Sequence, residues 1–168
     1  MDDVFLNQIK AYKNTQSSKY IPVRGDEILT RVFEFEKYFV STKIDGHLCF
    51  ILKKGKEIVI TNFNGKLFDR SELIDELNKN IGENDGLFVG EIYAYKNGER
   101  TRSFDLTKGL SETNTIIKIG VFDLLQYNGK TFEESEWGEK KKIIEDLFSK
   151  GEIIHAVKEI ELTSRKEI

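Results

Sequence analysis

Proline and cysteine are almost missing from this chain. A single proline, Pro22, in 168 residues excludes a proline-rich linker. A single cysteine, Cys49, cannot close an intrachain disulfide, and with only two histidines it leaves too few ligands for a four-ligand Cys/His zinc site. Its neighbours Leu48 and Phe50 suggest an ordinary buried thiol. No apolar run approaches the roughly 20 residues that cross a bilayer. The opening Met1-Asp2-Asp3-Val4-Phe5 lacks the basic start and apolar core of a secretory signal. These absences set the expectation of a soluble, cytoplasmic protein with no membrane partner. An excess of positive charge is also absent. Lys and Arg number 26 against 29 Asp and Glu, for a formal net charge of -3 and a pI near 5.6. That excludes the global basic signature of proteins that coat nucleic acid, though not a local basic face.

What remains is enough for one domain with a real core, at 39% hydrophobic residues. No repeat and no low-complexity stretch interrupts it. Residues 12–20 are polar and read as loop. Ile28, Leu29, Val32 and Phe33 space a short helix within Asp26–Lys37. Strands are expected over Phe39–Lys43, Leu48–Lys53 and Glu57–Asn62, separated by glycine turns. Leu73, Ile74, Leu77 and Ile81 predict a helix over Ser71–Ile81. Leu87–Tyr95 reads as a strand, turning at Asn97-Gly98 into Arg100–Phe104. Ile116–Leu125 is a further strand, closed by Asn128-Gly129. Glu139–Phe148 is an amphipathic helix, and Ile153–Leu162 a half-buried strand. Trp137 is expected to anchor that helix, and Lys140, Lys141 and Lys142 to form its solvated face, with binding of a DNA backbone as a secondary role. The class is α+β, antiparallel sheets flanked by helices.

Three segments carry chemistry. In Lys43-Ile44-Asp45-Gly46 an apolar strand feeds a lysine, an acid and a glycine. Alternation places Lys43 and Asp45 on one face, and Gly46 permits a close backbone approach. A lysine in a partly enclosed site is a candidate nucleophile once its ammonium loses a proton; otherwise it is a surface lysine at a strand end. Asp45 would orient it or bind a metal, unless it merely makes an Asp-Gly turn. In Gly90-Glu91-Ile92-Tyr93, one carboxylate lies inside an apolar strand and needs a salt-bridge partner or a ligand hydroxyl. In Phe122-Asp123, the ring either packs in the core or offers an aromatic face to a purine. His155 and His47 read as an ordinary histidine at the core edge and a turn-flanking polar residue.

Together these segments resemble the nucleotidyltransferase (adenylation) domain of ATP-dependent DNA ligases, in the superfamily that includes RNA ligases and capping enzymes. Lys43-Ile44-Asp45-Gly46 is similar to the K-x-D-G motif, Val89-Gly90-Glu91-Ile92 to the third motif, and Val121-Phe122-Asp123-Leu124 to the following F-D motif. The likeness continues through the turn at Asn128-Gly129 into the basic helix, and Phe104–Leu110 resembles a short F-x-x-L segment. It runs from about Val40 to Ile168.

The resemblance implies a ligase-type nucleotidyltransferase fold and covalent adenylyl transfer. Lys43 would attack the α-phosphate of ATP, Glu91 would bind the ribose hydroxyls, Phe122 would stack on adenine, and Mg²⁺ would shield the phosphates, with Asp45 and Glu91 as candidate ligands. The AMP would pass to a 5′-phosphate of nicked DNA or RNA. The sequence departs from the pattern at Leu48, at Val89 and at Asn62-Phe63, where family members carry an arginine, an acid and a Ser-Arg pair. The fourth and fifth motifs find no match. Ser164-x-x-Glu167 is a capping box with no helix behind it. The expectation is therefore a partial adenylation domain over 1–168, with 1–37 as an N-terminal extension, not competent for full ligation. DNA ligase is the leading reading. RNA ligase, a capping-type guanylyltransferase and a nucleotide-binding or interaction module without catalysis are the alternatives. Oligomeric state is not legible.

Overall fold

The computed structural model describes residues 3–17, 21–96, 98–100, 115–132 and 136–168. They form two compact units, one of Met1–Lys43 with Val157–Ile168 and one of Ile44–Ala156.

The first unit opens with helix α1, Asp3–Ser17. Phe5, Ile9 and Tyr12 are buried at helical spacing. The loop expected from residue 12 onward is helical as far as Ser17. Thr15 tolerates this by donating its hydroxyl to the Ala11 carbonyl at 2.9 Å. Residues 18–20 lie outside the described residues. The helix expected within Asp26–Lys37 is reduced to a 3₁₀ turn, Gly25–Glu27, and one turn of helix α2, Ile28–Arg31. The chain turns extended at Val32 because the following backbone is tied to a tyrosine instead. The Tyr38 hydroxyl donates to the Phe33 carbonyl at 3.0 Å and accepts from the Phe35 N–H at 2.7 Å. Strand β1, Tyr38–Ser41, pairs antiparallel with the last strand, Glu159–Leu162, in a two-stranded ribbon. The Ser164/Glu167 capping box forms, on a 3₁₀ turn over Arg165–Glu167.

The second unit is built on a sheet of strands β2 (His47–Lys54), β3 (Glu57–Asn62), β4 (Gly86–Lys96), β5 (Glu99–Arg100), β6 (Thr115–Tyr127), β7 (Lys130–Thr131) and β8 (Ile154–Ala156). The main order is β3-β2-β4-β6-β7, with β5 on β4 and β8 on β6. All pairings are antiparallel except β6 with β8. The strand expected over Ile153–Leu162 is therefore two. Its first part pairs with β6 and its second, β9 (Glu159–Leu162), with β1, and two different partners require a break at Val157-Lys158. Asn128 and Gly129 both take positive φ, 48° and 81°, as a two-residue hairpin turn requires. The continuation expected through Phe104, and the Phe104–Leu110 segment, lie outside the described residues.

Helices α3 (Ser71–Ile81) and α4 (Trp137–Phe148) cover one face of this sheet. Leu73, Leu77 and Ile81, four apart, meet Ile144 and Phe148 in one buried cluster with Phe88, Ile92, Ile119 and Val121. Phe88 and Phe148 pack edge to face with centroids 5.3 Å apart. Trp137, at the start of α4, is half-buried, as an anchor would be.

A carboxylate fastens β8 to this layer. Glu76 of α3 accepts the Ile154 N–H at 2.8 Å and the Ile153 N–H at 3.0 Å. Two strand-end donors are thereby satisfied by one charged acceptor. Glu76→Ala should cost about 1–3 kcal/mol by leaving both without that partner, read as a shift of the urea midpoint at unchanged slope.

Candidate functional site

The K-x-D-G segment is not a strand end. Strand β1 stops at Ser41, and Thr42–Asp45 lead irregularly into β2. Lys43 closes the first unit's N-terminal stretch, and its side chain is exposed rather than partly enclosed. Asp45 is exposed as well. An irregular link does not impose strand alternation, so the expected shared face of Lys43 and Asp45 is not set by a sheet.

Gly46 is where this segment meets the sheet. Its N–H donates to Glu91 Oε1 at 3.2 Å. A Cβ at Gly46 would collide with the Ile92 carbonyl oxygen and lie 2.9 Å from Glu91 Cγ. The glycine is needed for close approach, not for an unusual backbone angle. Gly46 of the K-x-D-G motif and Glu91 of the third motif are thus in direct contact.

Glu91 stands half-buried in the middle of β4. The register sets it opposite Leu48 of β2 and Gly120 of β6, and Gly120 is paired in turn with His155 of β8. Opposed residues share a face. Glu91 thus lies on the face away from the helices, since the neighbouring pairs Cys49 with Gly90 and Ile92 with Ile119 carry the helix-packed core. On the same face, the Tyr93 hydroxyl and His155 Nε2 share a hydrogen bond at 3.3 Å, and the ammonium of Lys118 lies 5.3 Å from the centre of the Tyr95 ring. His155 is half-buried and hydrogen-bonded, as an ordinary core-edge histidine should be. Burial, and secondarily the Glu91 charge, push the Cys49 thiol far above its ordinary range. Cys49 is fully buried and is an inert core thiol.

Gly90 has a similar role to Gly46. A Cβ there would lie 2.9 Å from the Gly120 carbonyl oxygen and 2.9 Å from Ile119 Cγ2. Val89, where the resemblance calls for an acid, is fully buried and faces Phe50 on one side and Asp123 on the other.

Phe122 is half-buried on β6. Gly90 pairs with Val121 and Val89 with Asp123, so the register slips by one residue at Phe122. Its strand neighbour Asp123 is buried and paired to Lys140, Oδ1 to Nζ 3.0 Å. The expectation of a solvated lysine face on α4 is corrected here. Lys140 is buried, while Lys141 is half-buried and Lys142 exposed. The available signal was its spacing, four residues before Ile144 and eight before Phe148. The Asn62-Phe63 departure falls on a turn in which Asn62 Oδ1 accepts the N–H groups of Asn64 and Lys66 at 3.0 and 2.9 Å.

This mostly antiparallel sheet with two helices on one face has the fold of ligase nucleotidyltransferase domains. The ligase domain of LigD from M. tuberculosis superposes with a TM-score of 0.59 at 13% identity, over 74% of this chain and 40% of that one. Mycobacterial DNA ligase D complexed with ATP and MES gives 0.57 at 13% identity, over 78% and 42%. Pmar-Lig_PreS3 gives 0.55 at 14% identity, over 96% and 40%. The chain thus spans well under half the length of these structures. No protein-family model matches the sequence, and no curated protein does.

Replacing Gly46 with Ala should displace Glu91 or the loop. The expected loss is about 1–3 kcal/mol of stability from overpacking, measured by denaturant unfolding.

Proposed function

We propose that this chain is the N-terminal part of the adenylation domain of an ATP-dependent polynucleotide ligase, most simply a DNA ligase, and carries its nucleophile. The observation that carries the reading is the Gly46 N–H to Glu91 contact. It brings together Gly46, the last residue of the K-x-D-G motif, and the one carboxylate in β4, 45 residues apart in sequence.

In this reading Lys43, as the neutral amine, attacks the α-phosphorus of ATP. The Nζ–P bond forms, the bond to the bridging oxygen breaks, pyrophosphate leaves with the electron pair, and the amine proton is lost. Lys43 is exposed, so it is open to approach by a nucleotide and by a 5′-phosphate of DNA or RNA. Glu91 accepts hydrogen bonds from the ribose hydroxyls, a charge-assisted contact. Phe122 gives the base a face worth about 1–3 kcal/mol of stacking.

Among the described residues no group of three or more His, Cys, Asp or Glu side chains could hold a metal. Magnesium on a nucleotide needs only one or two carboxylates beside the phosphates. Asp45, exposed next to the lysine segment, fits that need. Glu91 is the second candidate, with one oxygen already engaged by Gly46. The ion would supply charge neutralisation on the phosphates.

The test is intact mass of the complete gene product after incubation with Mg²⁺ and ATP or GTP. A gain of one AMP, abolished in Lys43→Ala, is expected. A GMP adduct would favour capping chemistry. A folded protein that gains nothing would favour a non-catalytic nucleotide-binding module.

A further inference from the structure

The second unit holds a buried ion pair that the reading above does not use. Asp123 and Lys140 are 8% and 5% exposed, and their charged atoms lie 3.0 Å apart. Lys140 heads the α4 stripe whose next members, Ile144 and Phe148, are core. An apolar pair at these positions would avoid the desolvation of two charges and is often as stable or more so. Stability alone therefore does not account for the pair.

Its location does. The same Asp123 oxygen accepts the Leu124 N–H at 2.8 Å. Immediately before Asp123 the ladder slips, leaving Phe122 with no register partner on β4. A bulged residue is re-aimed by whatever holds its neighbours, because the ladder no longer fixes it. Asp123 is that neighbour, and Lys140 holds it from the helix.

We propose that Lys140 is a positioning residue, which through Asp123 fixes the bulge and thereby sets the Phe122 ring as the platform for the nucleobase. This rests on the reading of Phe122 given above.

The test compares binding of ATP with that of inorganic tripolyphosphate, which carries phosphates and no base, to the complete gene product. Lys140→Met should weaken ATP about tenfold, as loss of one stacked base does, and leave tripolyphosphate unchanged. Lys140→Arg should keep the wild-type ratio. Phe122→Ala should lower the ratio alone, and adding Lys140→Met should lower it no further, because the two act as one unit. If Lys140→Met does not fold, the double change Lys140→Met/Asp123→Leu leaves no buried charge and is expected to give the same loss of ratio. A wild-type ratio in that folded double variant overturns the positioning role. A wild-type ratio in Phe122→Ala overturns the platform, and the proposal with it. Absence of ATP binding to the wild type overturns the ligase reading itself.

Discussion

The contact between the Gly46 backbone and the Glu91 side chain holds the entry to β2 against β4. A single N–H to carboxylate hydrogen bond at 3.2 Å is modest in energy. Its consequence is geometric. With no side chain at 46, the loop after Lys43 can lie directly on β4, and the Glu91 carboxylate is oriented by a backbone donor. Glu91 is also the one acid in the run Gly86–Lys96.

The two faces of the sheet divide the labour. One is filled by Leu73, Leu77, Ile81, Ile144 and Phe148, so the strands cannot shift without disturbing close-packed side chains. The other carries the buried Leu87, Val89 and Phe50 at one end and the polar and aromatic Glu91, Tyr93, Tyr95, Lys118 and His155 towards the other. Period-2 alternation keeps the two sets apart along β4 and β6 until the slip at Phe122 breaks it. The break lies within the F-D motif, where irregular backbone re-aims a side chain.

Elements with a strong period were readable from sequence. Helix Ser71–Ile81 and strand Glu57–Asn62 match the expectation to the residue, and the Asn128-Gly129 hairpin follows from turn chemistry. Elements decided by tertiary partners were not. The α2 region shortens because Tyr38 captures the backbone at Phe33 and Phe35, and Ile153–Leu162 divides because its halves have different partners. Among candidate site residues, Gly46 and Glu91 were legible as a glycine at a motif and the one acid in an apolar strand. Lys140 was hidden in a run of three lysines, because charge patterning reads such a run as solvated. Its burial depends on Asp123, 17 residues earlier in the chain. The enclosure expected around Lys43 was an inference from the chemistry; the side chain is exposed.

The central claim is that Glu91, held by Gly46, recognises a nucleotide sugar. The direct measurement is calorimetric affinity for ATP and for 2′,3′-dideoxy-ATP, in the wild type and in Glu91→Ala. The account predicts that the wild type prefers ATP by about tenfold, as a hydrogen bond to a charged group implies, and that Glu91→Ala shows no preference. Equal affinity for both nucleotides in the wild type, or an undiminished preference in the variant, would contradict it.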